Sequence, residues 1–395
     1  MKLDDALIAL KSISLNLKSE IVPIENALNK ELAEDIIANK NAPSFDNSAL
    51  DGYAAKRADL EKGTVRVVDV IYAGERRQTR INDGECIKIM TGAKMPVGAD
   101  CVLKFEDAII KDKENSIQNA QIGEYVLAAK IPKPNDGYRK KAEEIVKNDK
   151  ILNSGTRLNP AQIMLLAAQG ISRVLVKKAP SVGIYSSGNE LKEPWQSADD
   201  EEIYNANSAG VAALLASAGV KSSYLGIIKD DINAVKRALE AKIDVLIISG
   251  GASAGEADFM AKALGELKFK EIFSHVKIRP GKPVKAYFKQ DEKRLVFILP
   301  GNPMAAFITA FALILPLFAP QNTQMAVVRE SLKFNSGRTN TILGNVKNGE
   351  FIPLNGGKYS SGSITPLANS NAIIFTDYDE NEILAGSVKK IYKIS

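Results

Sequence analysis

Cysteine, histidine and tryptophan are scarce in this sequence, which holds two, one and one of them respectively. Two cysteines, Cys86 and Cys101, cannot build the framework of a disulfide-stapled fold. With His275 as the sole histidine they cannot complete an ordinary structural zinc site either, so we expect both to pack in a core. The 395 residues, 45% of them hydrophobic, are instead typical of a modular globular protein with two or three domains.

The sequence also lacks a recognisable targeting segment and a membrane span. Asp4 and Asp5 stand where a signal peptide carries positive charge. The most apolar run, 304–319, falls short of the roughly 20 residues that cross a bilayer and contains Thr309 and Pro316, which indicates a buried helix. The net charge of +5 is too small for a protein that neutralises nucleic-acid phosphates over its whole surface. We therefore predict a cytoplasmic protein with neither nucleic-acid nor membrane partners.

The hydrophobic pattern predicts an α/β plus β, multidomain fold. Apolar residues recur at helical spacing in 3–10 and again in 24–32, and short β-rich runs extend from 65 to 128. From residue 181 apolar strands alternate with helices, which predicts a central doubly wound, mostly parallel sheet. The predicted parts are an N-terminal helical and linker part (1–42 and 139–175), a β-rich insertion domain (43–138), an α/β domain (176–320) and a small C-terminal β-domain (321–395).

Three strands of the predicted α/β domain end in small turns that contain glycine. The turns are 186–190, 249–258 and 299–303, and the second begins with Ser249, Gly250 and Gly251 and continues through Ser253. Ligands of open parallel sheets bind beyond the carboxyl ends of the strands, so these turns should lie together. Where residues have small side chains or none, their backbone N–H groups can approach an anion, and the N-termini of the following helices also favour negative charge. Together they form a phosphate-binding floor.

Carboxylates and cations gather around the same turns. The acidic side chains are Glu190, Asp230, Asp231 and Asp258. Carboxylates beside a phosphate floor indicate a bridging Mg²⁺, although acids in the first turn of a helix also serve as caps. Between residues 268 and 294 nine basic residues oppose three acidic ones. Four of these cations, Lys277, Arg279, Lys282 and Lys285, surround a Pro-Gly-Lys-Pro turn and are candidates to clamp an oxyanion.

Residues 251–255 also match the G-x-S-x-G nucleophile elbow of serine hydrolases. Ser253 would be the nucleophile, His275 the base and Asp258 the acid. Asp258 would lie on the helix that begins at the elbow, and His275 follows only one β-unit later. Such enzymes draw these partners from later strands, so the hydrolase is a distant alternative.

Six segments, in order along nearly the whole chain, resemble the MoeA-type molybdopterin molybdenumtransferase family, which includes the E domain of gephyrin. They are 48–54 (SALDGYA), 89–93 (IMTGA), 187–191 (SGNEL), 249–258 (SGGASAGEAD), 280–283 (PGKP) and 299–303 (LPGNP). The resemblance implies an enzyme that inserts molybdate into adenylylated molybdopterin and releases AMP, with Mg²⁺ or another divalent cation. It also implies a homodimer whose cleft joins the α/β molybdopterin-binding domain of one subunit to the β insertion of the other, with a molybdopterin adenylyltransferase and recipient molybdoenzymes as further partners.

The resemblance also assigns roles to residues of this sequence. The catalytic set is Asp51, Thr91, Glu190, Asp230 and Asp258, of which Glu190, Asp230 and Asp258 would hold the metal. Pro300 and Pro303 would shape the molybdate pocket. Together with the phosphate floor and the cations above, the predicted substrate-binding set is Glu144, Ser249, Gly250, Gly251, Ser253, Lys277, Arg279, Lys282, Pro300, Pro303, Arg338 and Ser363.

The chain departs from the family pattern in a few places. Ala142-Glu143-Glu144 replaces Gly-Glu-Asp, so the acid of Glu144 reaches one methylene further. Arg279 replaces a lysine and keeps its charge, and Asn189 replaces an acid. A further family lysine is His275 here, so either Lys277 substitutes for it or molybdate binding is weaker and pH-dependent.

Two alternative functions stay open within the same resemblance. A related α/β domain adenylylates molybdopterin, although the β insertion and the C-terminal β-domain argue against that activity. The gephyrin relative also anchors partners through its C-terminal region, so a noncatalytic molybdopterin-binding scaffold is the alternative from a different class.

Overall fold

The computed structural model describes residues 1–15, 17–111, 119–251 and 256–394, with the side chains of 256–258 outside the description. The chain forms two compact units. One consists of Lys18–Lys178, and the other combines Met1–Leu17 with Ala179–Ser395. The four-part division expected from the sequence is finer than these units and stays a prediction.

The helices and strands of the described residues are numbered in chain order. The helices are α1 (Leu3–Lys11), α2 (Arg57–Lys62), α3 (Pro160–Ala168), α4 (Asn207–Ser217), α5 (Ile232–Leu239), α6 (Glu256–Glu266), α7 (Pro303–Thr309) and α8 (Thr365–Ala368). The first strands are β1 (Ser19–Pro23), β2 (Ile36–Ile37), β3 (Asn47–Ser48), β4 (Gly52–Ala55), β5 (Val65–Ile71), β6 (Glu85–Ile89), β7 (Cys101–Lys104), β8 (Ala108–Ile110), β9 (Tyr125–Ala128), β10 (Tyr138–Arg139), β11 (Lys150–Leu152), β12 (Arg173–Lys177), β13 (Val182–Ser187) and β14 (Leu191–Lys192). The remaining strands are β15 (Ile203–Tyr204), β16 (Ser222–Ile228), β17 (Val245–Ser249), β18 (Lys270–Phe273), β19 (Ile278–Arg279), β20 (Lys285–Lys289), β21 (Arg294–Leu299), β22 (Thr323–Val328), β23 (Leu332–Lys333), β24 (Thr339–Lys347), β25 (Glu350–Pro353), β26 (Ala372–Phe375), β27 (Glu382–Ile383) and β28 (Val388–Lys393).

The unit Lys18–Lys178 is built around a six-stranded sheet in the order β7-β4-β6-β5-β9-β8. Ala55 on β4 pairs with Cys86 on one side and Cys101 on the other. Both cysteines are free and buried, as the sequence predicts. Burial raises the pKa of each thiol to about 12, which keeps both of them protonated and unreactive.

The helix expected at 24–32 is wrong. The chain there leaves β1, which pairs with β12, makes one 3₁₀ turn at Ile24–Asn26 and passes through Asn29 with a φ of 63°. Leu32 is fully buried without being helical, since its N–H donates to the carbonyl of Thr156. Pairing with distant segments therefore overrides the local i, i+4 spacing. The helix expected near residue 3 is confirmed as α1, which buries Leu3, Ala6 and Leu10.

The second unit contains the predicted mostly parallel sheet, in the order β16-β13-β17-β21-β20-β18. Its first four strands are parallel, and β20 and β18 continue it in antiparallel pairing. Alternate residues of β17 enter two separate cores, Ile247 with α4 and α7, and Ile248 with α5 and α6. Helices therefore cover both faces, which confirms the doubly wound architecture.

The C-terminal part of this unit is β-rich, as expected. Its strands follow the order β19-β24-β25-β22-β28-β26, and β24 also pairs with β26, so five of them close into a small barrel. The sixth strand, β19, is only two residues long and comes from the basic segment before the Pro-Gly-Lys-Pro turn. Its Arg279 pairs with Asn340 of β24, which places the basic segment against the barrel.

The apolar run 304–319 is buried, as predicted. It begins as α7 and continues through a π-helical turn at Ala310–Ile314 and a 3₁₀ turn at Leu315–Leu317. None of the helices in the described part of the chain is long and apolar enough to span a membrane.

Candidate active site

The described parts of the three glycine-containing turns of the α/β sheet lie together, as the sequence predicts; for the second turn this refers to residues 249–251. Ser249 on β17 is in register with Ser186 on β13 and with Leu299 on β21. Gly250 follows with a φ of 104°, and a Cβ there would approach the carbonyl oxygen of Ser187 to 2.1 Å. Only glycine therefore lets the second turn pass this close to the first.

These turns line a cavity of about 410 Å³. Of the predicted site residues, Glu190, Ser249, Gly250, Gly251, Pro300 and Pro303 line it. The cavity thus combines a carboxylate with glycine-rich backbone and proline surfaces. This composition is expected of a site that binds a ligand with both a phosphate group and an apolar part.

Two asparagines that sequence reasoning missed hold the turns in place. The side-chain amide of Asn207, the first residue of α4, donates to Ser249 Oγ at 2.8 Å and to the carbonyl of Gly301 at 2.7 Å. The Ser186 hydroxyl donates to Oδ1 of the buried Asn205 at 2.7 Å. A sequence signal was available, because both asparagines flank the start of α4: Asn205 lies two residues before the helix and Asn207 is its first residue.

The predicted metal ligands are placed only in part. Glu190 lines the cavity, and Asp230 Oδ1 accepts from the Ser187 hydroxyl at 3.4 Å. Asp231 is a helix cap, since it accepts from the Ala234 N–H at 2.8 Å. The backbone of Asp258 lies in α6, but its side chain is outside the description. The described residues contain no group of three Asp, Glu, His or Cys side chains that could hold a metal ion.

The hydrolase alternative stays a prediction. Ser253 lies outside the described residues, and His275 is exposed.

A larger cavity of about 950 Å³ lies where β19 meets the C-terminal barrel. Its predicted site residues are Lys277, Arg279, Lys282, Pro300 and Arg338. Burial, and then repulsion from Arg279, lower the pKa of Arg338. Within the described residues no carboxylate forms an ion pair with any of these four cations. The cavity therefore holds unneutralised positive charge, which is the electrostatic setting of an anion site.

Lys277 is the cation whose position is fixed most directly. Its Nζ donates to the Tyr378 hydroxyl at 2.8 Å, and Lys2 Nζ lies 4.3 Å from the centroid of the same ring. Lys277 lines the larger cavity and His275 is not among the lining residues. This placement favours the substitution of Lys277 for the family lysine absent at 275.

Two serines line the larger cavity, and Ser363, the serine that the family resemblance assigned, is not one of them. The two are Ser360 and Ser361. Ser363 N–H instead donates to the Ser360 carbonyl at 3.1 Å, which closes the turn on which all three lie. The two cavities share Pro283, Pro300 and Asn302, so they meet along a common wall.

In the unit Lys18–Lys178, Asp51 and Thr91 form a pair. Gly52, which follows Asp51, admits no side chain, because a Cβ there would approach the Leu103 carbonyl oxygen to 2.2 Å. The backbone N–H and the hydroxyl of Thr91 hold the pKa of the exposed Asp51 carboxyl below its usual value. Glu144 lies elsewhere in this unit, on an exposed turn where it pairs with Arg139 at 3.4 Å.

Three family models together match most of the chain. The family model described as the MoeA N-terminal region (domain I and II) matches residues 1–170. A probable molybdopterin binding domain matches 183–320, and the MoeA C-terminal region (domain IV) matches 325–394.

Relatives in sequence and structure cover most of the chain. A molybdopterin molybdenumtransferase of Haemophilus influenzae is 31% identical over 97% of this chain and 95% of its own length. One from Bacillus subtilis is 29% identical over 90% of this chain and 85% of its own. A crystal structure of a molybdopterin biosynthesis MoeA protein from Pyrococcus horikosii superimposes with a TM-score of 0.79 at 26% identity, covering 100% of this chain and 99% of that one. The chain therefore belongs to the MoeA family of molybdopterin molybdenumtransferases, which are enzymes of molybdenum cofactor biosynthesis.

Proposed function

We propose that this protein inserts molybdenum from molybdate into adenylylated molybdopterin and releases AMP. One observation carries the proposal: a cationic cavity and a glycine-floored cavity share the wall of Pro283, Pro300 and Asn302. Such an arrangement brings an oxyanion and a phosphorylated organic substrate side by side, and insertion requires that geometry.

The smaller cavity would receive the phosphorylated substrate. The backbone N–H groups near Gly250 and Gly251 would face its phosphate oxygens, and Asn207 keeps both turns in position. AMP release breaks a phosphorus–oxygen bond of the phosphoanhydride: a water oxygen bonds to phosphorus and the electron pair of the broken bond leaves with the departing phosphate oxygen. Preorganised donors stabilise the charge that develops on that oxygen without reorganising.

The larger cavity would receive molybdate as the oxyanion substrate. Arg279 and Arg338 present planar forks for its oxygens, while Lys277 and Lys282 supply point charges. The Ser361 hydroxyl adds a neutral donor. The dithiolene sulfurs would then replace oxygen ligands of molybdenum, which leave as water once they are protonated.

In the proposal, Glu190 and Asp230 would hold a divalent cation. Glu190 and Asp230 follow neighbouring strands, and Mg²⁺ commonly takes one or two carboxylates together with substrate phosphate oxygens. When bound, Mg²⁺ would neutralise charge on the phosphoanhydride. Asp258 completes this ligand set in the proposal.

The remaining partners belong to the same proposal. An adenylyltransferase would supply the substrate, recipient molybdoenzymes would accept the product, and the active form would be a homodimer to which Asp51, Thr91 and Glu144 contribute. The family match and the resemblance of the segments that contain Asp51 and Thr91 support this assignment.

The experiment is incubation of the purified protein with adenylylated molybdopterin and Mg²⁺, with and without molybdate. AMP release and molybdenum bound to the pterin are followed together. We expect molybdate-dependent release coupled to insertion, lost in D258A and in an R279A/R338A variant. K270A is the matched control, because Lys270 is an exposed cation of the same basic segment outside both cavities.

Other outcomes would favour the alternatives. If molybdopterin and ATP are supplied instead, formation of adenylylated molybdopterin with release of pyrophosphate would identify an adenylyltransferase. Tight substrate binding without AMP release, unaffected by D258A, would identify a scaffold. Labelling of Ser253 by a fluorophosphonate, lost in H275A, would identify a hydrolase.

A further inference from the structure

Asn302 is the polar residue that lines both cavities. Its side-chain amide donates to Ser361 Oγ at 3.0 Å and so joins the turn after β21 to the segment between β25 and β26. We propose that Asn302 is a positioning residue that fixes the Ser361 hydroxyl for donation to the oxyanion substrate. The inference rests on the proposed function, and nothing in the sequence motifs distinguishes this role from that of a turn residue.

The local backbone shows that the Asn302 side chain does not serve its own helix. Asn302 occupies the N-cap of α7 with an extended ψ of 125°, and its carbonyl accepts from Ala306 N–H at 2.9 Å. Asparagine at an N-cap usually accepts a hydrogen bond from the first turn of the helix. Here the side chain makes no capping bond. It is directed to Ser361 instead.

The segment that carries Ser361 follows an irregular stretch of backbone and is anchored by Tyr359. Asn355, Gly356 and Gly357 take three successive positive φ values of 48°, 57° and 74°. Beyond them Tyr359 is anchored to β24, since its hydroxyl donates to the Thr341 carbonyl at 2.6 Å and accepts from Leu343 N–H at 2.7 Å. Burial raises the pKa of Tyr359 to about 12, so this anchor keeps its proton.

The direction of the Asn302 bond decides what Ser361 can do. Because the amide nitrogen is the donor, the Ser361 oxygen is the acceptor and the hydroxyl proton stays available. An accepted hydrogen bond also polarises the hydroxyl and strengthens the bond that it donates. Without Asn302 the Ser361 hydroxyl would rotate freely, and the entropy lost when it is ordered would weaken oxyanion binding.

The first experiment needs no ligand. Hydrogen exchange of the backbone amides in 358–363 is measured for the unliganded wild type, N302A and S361A. S370A is the matched control, because the Ser370 hydroxyl donates to the Pro366 carbonyl at 2.7 Å in the same domain but outside both cavities. We expect faster exchange in both test variants and unchanged exchange in the control. Unchanged exchange in N302A and S361A would overturn the inference.

The second experiment measures molybdate binding by calorimetry and the insertion reaction by steady-state kinetics. N302A and S361A should each bind molybdate about three- to tenfold more weakly, and the double variant should be no weaker than either one. KM for molybdate should rise while kcat changes little, and S361T should restore binding by keeping the hydroxyl. Additive losses, or no rescue by threonine, would overturn the role.

Failure of the proposed function gives a different result. A wild type that neither binds molybdate nor inserts molybdenum, with faster exchange in N302A, would contradict the function and leave the attachment intact. Normal insertion with unchanged exchange in N302A would contradict the attachment alone.

Discussion

The Asp51 carboxylate accepts two hydrogen bonds from one residue, Thr91, whose backbone N–H lies 2.7 Å and whose hydroxyl oxygen lies 2.8 Å from the same Oδ1. Both bonds favour the charged form and lower the pKa of Asp51, the backbone bond more than the hydroxyl bond. The folded pKa is therefore below the unfolded one. Any stabilisation by this pair is present above the unfolded pKa and is lost as the pH falls through the folded pKa.

T91V should raise the pKa of Asp51 towards its ordinary value, because it removes the hydroxyl bond and keeps the backbone one. T91S should leave the pKa nearly unchanged. A carboxyl-carbon NMR titration measures both. If insertion requires ionised Asp51, the acid limb of the pH–rate profile should move to higher pH in T91V. An acid limb that does not move would show that the reaction does not depend on the ionisation of Asp51.

R279A and R338A should each weaken oxyanion binding by roughly tenfold or more, because hydrogen bonds to charged groups contribute about 1.5–3 kcal/mol. Both variants should keep their unfolding temperature, because each removes one of two like charges from the same cavity. Calorimetric titration with molybdate and a thermal scan test this. Equal binding by R338A and the wild type would place the oxyanion elsewhere.

G250A should destabilise the protein by more than 2 kcal/mol, since its Cβ would meet the Ser187 carbonyl and its φ is positive. G265A is the opposite control. Gly265 is near the end of α6 and a Cβ there meets nothing within 4 Å, so alanine should stabilise by up to about 1 kcal/mol. Chemical denaturation of both variants measures the change in unfolding free energy, which should be a decrease in G250A and an increase in G265A.

N207A should lower the unfolding free energy by roughly 1–3 kcal/mol and also weaken binding of the phosphorylated substrate, because it frees both turns of the cavity. N345A is a control with the same number of bonds. Its side chain bonds to Asn369 and Asn371 in the barrel, outside both cavities. It should show a similar stability loss with unchanged substrate binding.

A142G should stabilise the unit Lys18–Lys178 by roughly 1 kcal/mol. Ala142 has a φ of 63°, which costs a residue with a Cβ about 1–2 kcal/mol and costs glycine little. A167G, on an exposed position of α3, should destabilise by a similar amount. A higher unfolding temperature for A142G and a lower one for A167G would confirm that Ala142, which replaces the family's glycine, is under backbone strain.

The shared sheet edge of Ser187, Ser249 and Leu299 could be predicted from the sequence, because parallel strands bring their carboxyl ends to one side whatever the details of packing. The placement of Arg279 beside Arg338 could not. It depends on a two-residue strand that pairs with a partner about 60 residues away, and so short a strand leaves no periodic signal.

A local signal misled in one further place. The i, i+4 spacing near Leu28 indicated a helix where strand pairing and a left-handed Asn29 prevail. Ser363, which the family resemblance assigned, is not among the residues that line the larger cavity, whereas Ser360 and Ser361 of the same turn are, and its role stays a prediction.

The pairing of β19 with β24 also determines what kind of discrimination the larger cavity can make. Ile278 and Arg279 are aligned with Thr339 and Asn340 by main-chain bonds, so the separation of the two guanidinium groups is inherited from strand register. A slip of one residue would turn Arg279 to the opposite face. A spacing of cations that the backbone determines would select an anion by its size and charge. Such a spacing would not distinguish the central element of the anion. Two tetrahedral oxyanions of equal radius would therefore bind alike, and selection between them would depend on the reaction after binding.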